Sequence, residues 1–168
     1  SASLVGSEMC IRDSSYKVLN TSEQEDVVST QYVDMDGDIL RYSPDGVSVV
    51  DNSMNTIWNE TYTMQNPIAD VNGSRAVVAD SEGTSLYICD KKGVTGTVTT
   101  SYAIVKVRIA SNGMVAVILD NDDNTWINFY NPDGSLVAEN LTKIDDPGYP
   151  MDVAVSDNGV MMVTFQYV

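Results

Sequence analysis

The feature that most constrains this fold is a repeat of short apolar segments, each followed by a polar loop and an aromatic segment. Residues 76–80 (AVVAD) and 116–120 (AVILD) are near copies, and residues 47–51 (VSVVD) form a third. A glycine turn precedes each copy, and Gly93 and Gly134 stand in matching turns about 40 residues apart. A repeat of this order predicts one supersecondary unit that is used several times.

The segments within each repeat have the length and composition of β-strands. They are roughly four to eight residues long and rich in β-branched and aromatic side chains. Asn-Gly and Asp-Gly pairs stand between them and supply the positive φ angles that tight hairpins need. Helical signals are confined to residues 22–28, where Ser22 and Glu25 have the spacing of a capping box. The chain is therefore predicted to be all-β and built from antiparallel hairpins.

Four strands in each period of about 40–45 residues are typical of a β-propeller blade. The predicted fold is all-β: a β-propeller-like repeat of four-stranded antiparallel blades, with about three and a half blades, and hence a partial or truncated propeller. The alternative is an unclosed β-sandwich, in which the same order of elements would not be expected to recur. The predicted layout is an N-terminal extension at residues 1–27 and a partial propeller at 28–168, with blades at about 28–65, 68–101, 104–146 and 150–168.

The incomplete fourth blade leaves two ways to satisfy an open edge. The segment at residues 16–19 (YKVL) could act as a closing strand that adds to the fourth blade. Alternatively, two chains could form a homodimer through their open blade edges, because an uncovered edge strand is a template for association. An open or self-pairing partial propeller is the arrangement that we expect.

The charge composition excludes several classes of function. The 168 residues include 24 acidic and 9 basic side chains, the formal net charge is −15, and histidine is absent. A surface of this sign repels phosphates, so nucleic acid is excluded as a main partner. Ser-His-Asp triads and histidine zinc sites are excluded by the lack of histidine. Few basic and many acidic residues favour a soluble extracytoplasmic or cell-surface protein.

Five motifs follow one another in a defined order, at residues 42–47 (YSPDGV), 58–62 (WNETY), 66–68 (NPI), 87–93 (YICDKKG) and 148–159 (GYPMDVAVSDNG). In this order the chain, from about residue 16 onward, resembles an uncharacterised domain-of-unknown-function family of membrane-anchored bacterial extracytoplasmic proteins with WD40-like or quinoprotein-like β-propeller repeats. The resemblance implies a propeller on the outer side of the cell membrane, held by an upstream membrane anchor. It supplies no catalytic residues.

Two acidic segments carry oxygen atoms that calcium could use. Residues 34–38 (DMDGD) begin like a calcium loop, but Ile39 and Asp45 stand where that loop needs glycine and glutamate. A turn between two strands explains this segment equally well. Residues 120–124 (DNDDN) are interpreted as a solvated hairpin tip. The sequence therefore predicts no catalytic, cofactor-binding or metal-binding residues, and no cofactor.

Four aromatic residues have both a structural and a functional interpretation. Two tryptophans occupy what we take to be equivalent repeat positions, and they are predicted to pack between blades. All four aromatic side chains could instead stack on sugar rings. They are Trp58, Trp126, Tyr130 and Tyr149.

The two cysteines, Cys10 and Cys89, leave two interpretations open. They are compatible with one disulfide. They do not require one, and the other interpretation is two small, partly buried apolar side chains. The Cys-x-x-Cys spacing of zinc and redox motifs is absent.

These observations favour a non-enzymatic, extracytoplasmic β-propeller module that binds or scaffolds a protein or glycan. Recognition would use loops on a rigid ring of sheets, because propellers present several loops around one axis. The alternative is a hydrolase of cell-surface glycans that uses acidic residues, since such enzymes need a pair of carboxyl groups across a cleft. The partner is expected to be a protein or glycan.

Overall fold

The computed structural model describes residues 16–17, 29–122, 124–142, 150–155 and 161–165, with side chains described for 29–122 and 124–139. Within this part of the chain, no helix is long and apolar enough to cross a membrane. The described residues form fifteen strands: β1 (Tyr16–Lys17), β2 (Gln31–Met35), β3 (Asp38–Ser43), β4 (Gly46–Val50), β5 (Thr56–Thr61), β6 (Pro67–Asn72), β7 (Arg75–Asp80), β8 (Ser85–Asp90), β9 (Gly93–Thr99), β10 (Ala103–Ile109), β11 (Val115–Asp120), β12 (Thr125–Tyr130), β13 (Leu136–Thr142), β14 (Pro150–Val155) and β15 (Met161–Phe165).

Each sheet contains strands that follow one another in the chain. The first sheet has the order β1 to β5, the second β6 to β9, the third β10 to β13, and a last pair joins β14 to β15. All of the pairings within these sheets are antiparallel. The predicted all-β fold of four-stranded antiparallel blades is therefore confirmed. The described sheets do not close into a ring, as expected for a partial propeller.

The sheets stack face to face, so that the second sheet is buried on both sides. On β7, Ala76 and Val78 point to the first sheet, whereas Val77 and Ala79 point to the third. Successive residues of a strand face opposite sides, so a strand between two sheets needs apolar residues at consecutive positions. Contacts between sheets join β2 to β6, β6 to β10, and β10 to β14. Successive sheets therefore meet through the first strand of each, as propeller blades do.

Hydrogen bonds between first strands reinforce this stack. The Oδ2 atom of Asp70 on β6 accepts from the backbone N–H of Ile109 on β10, at 2.9 Å. The side-chain amide of Asn72 donates to the carbonyl of the same Ile109, at 3.2 Å. Two polar side chains of the second sheet thus satisfy both backbone groups at the end of β10. One of the chain's many carboxylates has a structural role here.

The second and third sheets approach closely at their outer side as well. Gly96 on β9 lies against the β12–β13 turn, where a Cβ atom would stand 2.7 Å from the Pro132 carbonyl oxygen and 2.5 Å from the Gly134 nitrogen. The neighbouring Thr95 hydroxyl donates to the same Pro132 carbonyl at 2.7 Å. Glycine is needed at position 96 because backbone from another sheet occupies the space of its side chain.

The repeat predicted for the first blade is shifted by one strand. Residues 47–50 lie on β4, the third of β2–β5, whereas the similar segments at 76–80 and 116–120 form β7 and β11, the second strands of their sheets. The resemblance arises because β4, like β7 and β11, is buried at four consecutive positions. In consequence Trp58 lies on a fourth strand and Trp126 on a third. The prediction that these tryptophans occupy equivalent positions is wrong.

The N-terminal strand joins the first sheet and not the fourth blade. The sequence predicts that residues 16–19 could complete the fourth blade, but β1 pairs with β2 of the first sheet. Tyr16 stands opposite Val33 and Lys17 opposite Tyr32. β1 therefore extends the first sheet at its β2 edge and adds nothing to the β14–β15 pair.

Candidate functional site

The outer face of the first sheet, which points away from the second sheet, carries a row of polar side chains. Register aligns Tyr32 on β2 with Arg41 on β3, Arg41 with Ser48 on β4, and Ser48 with Asn59 on β5. Residues directly opposite one another on antiparallel strands share a face of the sheet. Four neighbouring strands thus place an aromatic ring, a guanidinium, a hydroxyl and an amide in one line. We call these four residues the polar row.

The polar row is unusual when compared with the corresponding faces of the other blades. The face of the second sheet that meets the first is apolar, with Ala76 and Val78 in the core. The face of the third sheet that meets the second is also largely apolar, with Val117 and Leu119 in the core, although it includes the buried amide of Asn128. The first sheet has a guanidinium on this side, although charged groups are costly in a dry interface. Its outer face therefore differs in chemistry from the apolar faces of the other sheets, although Ser48 and Val50 on β4 are themselves buried there.

A groove of about 350 Å³ runs along this face. The Nε–H of Arg41 donates to the Ser48 hydroxyl at 3.1 Å, which holds the guanidinium against the sheet. A guanidinium has five N–H donors in a rigid fork, so donors remain for a carboxylate, carbonyl or hydroxyl group. Asp45 and Glu60 also line the groove and could receive a donor from the same ligand. The arrangement can bind polar groups without any covalent step.

The turn at residues 43–46 forms one wall of the groove and is firmly held. Two carbonyl groups of this turn accept backbone hydrogen bonds from Tyr62 and Met64, at 3.1 and 2.9 Å. At the start of β4, a Cβ atom on Gly46 would stand 2.6 Å from the carbonyl oxygen of Glu60. These contacts tie the turn to β5 and to the segment that leads into the second sheet. The wall is therefore rigid rather than a free loop.

The acidic segment at residues 34–38 spans the β2–β3 turn. A lysine from the β8–β9 turn of the second sheet pairs with this segment. The ammonium of Lys91 donates to the Asp36 carbonyl at 2.7 Å and pairs with the Asp38 carboxylate at 3.1 Å. Met35, the second residue of the segment, is fully buried in the core. The interpretation of this segment as a turn is consistent with these contacts, which also tie the first sheet to the second.

The second acidic segment closes the β11–β12 hairpin. Asn121 and Asn124 are joined by a backbone hydrogen bond of 3.1 Å, and the Asn121 side chain accepts from the Asn124 N–H at 3.0 Å. Asp123 lies outside the described residues. In the part of the chain that is described, no three cysteine, aspartate or glutamate side chains form a group that could hold a metal ion.

Other carboxylates stabilise turns and loops. Hydrogen bonds from Asn55 and Ser53 lower the pKa of Asp51, and hydrogen bonds from Ser135 lower the pKa of Asp133. Asp80 accepts from two backbone N–H groups in the loop before β6, at 3.1 and 2.9 Å. A carboxyl group with a lowered pKa is a poorer proton donor at neutral pH, because it stays ionised.

The aromatic residues lie mainly between sheets. The Nε1–H of Trp58 donates to the carbonyl of Asp90 in the second sheet at 3.1 Å. Trp126 stacks on Tyr102 with ring centroids 5.6 Å apart, and both pack against the core between the second and third sheets. Tyr130 is buried in the same core. Tyr149 lies outside the described residues.

Cys89 is a free thiol buried in the core between the first and second sheets. Burial raises the pKa of this thiol to about 12, because the thiolate would lose its hydration. Cys10 lies outside the described residues. Cys89 therefore fits the interpretation of a small apolar side chain and forms no disulfide.

The burial of Cys89 leads to a test by alkylation. In a Cys10→Ser background, we expect iodoacetamide at pH 8 to leave native Cys89 unmodified for hours, because only the thiolate reacts and both its formation and its access are blocked. In urea the same thiol should react within minutes. Mass spectrometry measures the fraction modified. Rapid modification of the native protein would contradict the buried position.

Sequence reasoning missed the polar row. Tyr32, Arg41, Ser48 and Asn59 come from four different strands and form no local motif. A correct strand alignment would have revealed the row, because it would have matched Arg41 with an alanine or valine in the other blades. Because β4 was matched with β7 and β11 in place of β3, this difference between Arg41 and its counterparts was not visible in the sequence repeat.

The chain resembles several solved structures over less than half of their length. It matches a protein of unknown function from Bacteroides caccae (20% identity, 76% of this chain and 48% of that chain, TM-score 0.45) and the WD40 domain of Neurospora crassa Pan2 (15%, 65% and 34%, TM-score 0.44). It also matches YCF48 bound to D1 peptide (15%, 83% and 47%, TM-score 0.51). The last match supports the propeller-like fold, and the two others carry no further argument.

No protein of curated function matches the sequence. A family model does match it, over residues 12–168, which is nearly the whole chain. The ordered sequence motifs predicted a domain-of-unknown-function family, and this match is to such a family. The chain belongs to DUF5711, a family of unknown function.

Proposed function

We propose that this chain is part of a non-enzymatic, extracytoplasmic propeller module that binds a protein or glycan through the outer face of its first sheet. The observation that carries the proposal is the polar row, which stands where the equivalent faces of the second and third sheets are largely apolar. Among the described residues, half-buried Arg41 makes one side-chain hydrogen bond, to Ser48, and so retains donors for a ligand.

The chemistry of the groove favours binding over catalysis. It offers N–H and O–H donors on a rigid sheet, which suit the carbonyl and hydroxyl groups of peptides and sugars. Tyr32 adds an aromatic ring beside the guanidinium. A protein of similar fold, YCF48, has been solved with a peptide bound, so peptide is a reasonable first class to test.

The extracytoplasmic location and the upstream membrane anchor are part of the same proposal. They are supported by the net charge of −15 and by the family resemblance of the ordered motifs. A protease-accessibility assay on intact cells that express the natural protein tests the location. Degradation of the propeller without lysis is the expected result, and full protection until lysis would contradict it.

The experiment that tests binding uses arrays of peptides and glycans probed with the labelled chain. Arg41→Ala should weaken retention on any specific ligand by about tenfold or more, because it removes a hydrogen-bonding charged group. Lys92→Ala is the matched control, since it removes an exposed positive charge in the β8–β9 turn and should change retention less than about twofold.

Two results would contradict the proposal. One is that no peptide or glycan is retained specifically by the folded chain. The other is that Arg41→Ala and Lys92→Ala reduce retention equally, which would place recognition away from the groove.

A further inference from the structure

The core between the second and third sheets contains two buried polar atoms that have no hydrogen-bond partner among the described residues. They are Nε1 of Trp126 and Oδ1 of Asn128. The Asn128 side chain is 5% exposed, and the residues around it in this core are apolar. A buried polar group without a partner is costly, and such groups are commonly satisfied by ordered water.

The two atoms belong to neighbouring side chains on one face of a strand. Trp126 and Asn128 are two residues apart on β12, so they face the same side of the sheet, and their Cα atoms are about 6.6 Å apart along the strand. A water that accepts from one group and donates to another joins heavy atoms roughly 4.5 Å apart, because its two hydrogen bonds of about 2.8 Å meet at a near-tetrahedral angle. One group is an N–H donor and the other is a carbonyl acceptor, which is the pair that a single water molecule can satisfy.

Neighbouring contacts fix the position of the asparagine. Its Nδ2 atom donates to the Tyr130 hydroxyl at 3.0 Å, whereas Oδ1 is the amide atom without a partner among the described residues. If the amide were turned over, the tyrosine hydroxyl would donate to Oδ1 and Nδ2 would be the atom without a partner. In both orientations the site needs one more hydrogen-bonding molecule.

We propose that a single buried water molecule bridges Trp126 and Asn128 and so hydrates the interface between the second and third sheets. The water accepts from the Trp126 Nε1–H and donates to the Asn128 carbonyl oxygen. This inference does not depend on the proposed binding function, because the site lies on the opposite side of the second sheet from the polar row.

A water–protein ROESY spectrum of the labelled chain tests the proposal. The chain has only two tryptophans, so the two indole N–H signals can be assigned by Trp58→Phe. The Trp126 signal should show a cross-peak to water that has the sign of a long-lived bound molecule, and this cross-peak should disappear in Asn128→Leu. No cross-peak in the wild type, or one that is unchanged in Asn128→Leu, would overturn the proposal.

A double-mutant cycle provides a second test that does not depend on the spectrum. Trp126→Phe and Asn128→Leu each remove one partner of the water, so the second change should cost less once the first is made. The unfolding constants should depart from additivity by about threefold or more. Trp58→Phe with Asn128→Leu is the control pair and should be additive. Additivity of the Trp126–Asn128 pair would overturn the proposal.

Discussion

Replacing Gly96 with alanine is expected to lower the free energy of unfolding by about 3 kcal/mol, one of the two largest effects of a single substitution that we anticipate. The new Cβ atom would clash with the backbone of Asp133 and stand 2.7 Å from the Pro132 carbonyl oxygen. Backbone atoms cannot rotate aside as a flexible side chain can. The third sheet would have to move away from the second.

The contacts around Gly96 resist such a movement. Thr95 donates its hydroxyl to Pro132 across the same interface at 2.7 Å. The apolar core between the two sheets lies beside this contact, and close-packed interiors transmit even small displacements. Relief of the clash at Gly96 therefore weakens the hydrogen bond and the packing together.

Urea denaturation measures this effect through the midpoint and the slope of the transition. Thr99→Ala is the control on the same strand, since Thr99 is exposed and its replacement should cost less than about 1 kcal/mol. If Gly96→Ala were as stable as Thr99→Ala, the second and third sheets would not approach each other as described.

Leu119→Ala is expected to destabilise the chain by about 3 kcal/mol or more, the other large effect. Leu119 lies on β11 and is 0% exposed in the core between the second and third sheets. Truncation of a buried leucine removes its transfer free energy and leaves a cavity, which typically costs about 2–5 kcal/mol. Both sheets lose packing, because this side chain fills the space between them.

Leu136→Ala provides the matched control, because the same atoms are removed from a side chain that is 54% exposed on β13. Its cost should stay within about 0.5 kcal/mol. The two variants are compared under identical conditions by urea or thermal denaturation. Equal losses of stability in the two variants would contradict the assignment of Leu119 to the core between sheets.

Most of the strands could be predicted from the sequence, but their order within the first blade could not. Asn-Gly and Asp-Gly turns and β-branched segments mark strands by local conformational preference. The position of a strand within its sheet has no such local signal. β4, β7 and β11 have similar sequences because all three are buried on both faces, although β4 is a third strand and the other two are second strands.

The candidate site depended on contacts between distant residues and was therefore not predictable from motifs. Arg41 is significant because of its register with Tyr32 and Ser48. The acidic turn at 34–38 resembles a metal loop in sequence. In the structure it contacts Lys91, which is more than 50 residues further along the chain. Sequence patterns show which residues are acidic or aromatic, whereas tertiary packing decides which groups they meet.

The central structural claim is that the second sheet is stacked between the first and the third, which leaves the outer face of the first sheet for the proposed recognition surface. A methyl NOESY spectrum of the labelled chain tests the stacking most directly. Val77 should show cross-peaks to Val117, and Val78 should show cross-peaks to Val49. The account predicts both sets. Cross-peaks from both Val77 and Val78 to the same neighbouring sheet would contradict the stacked-blade architecture.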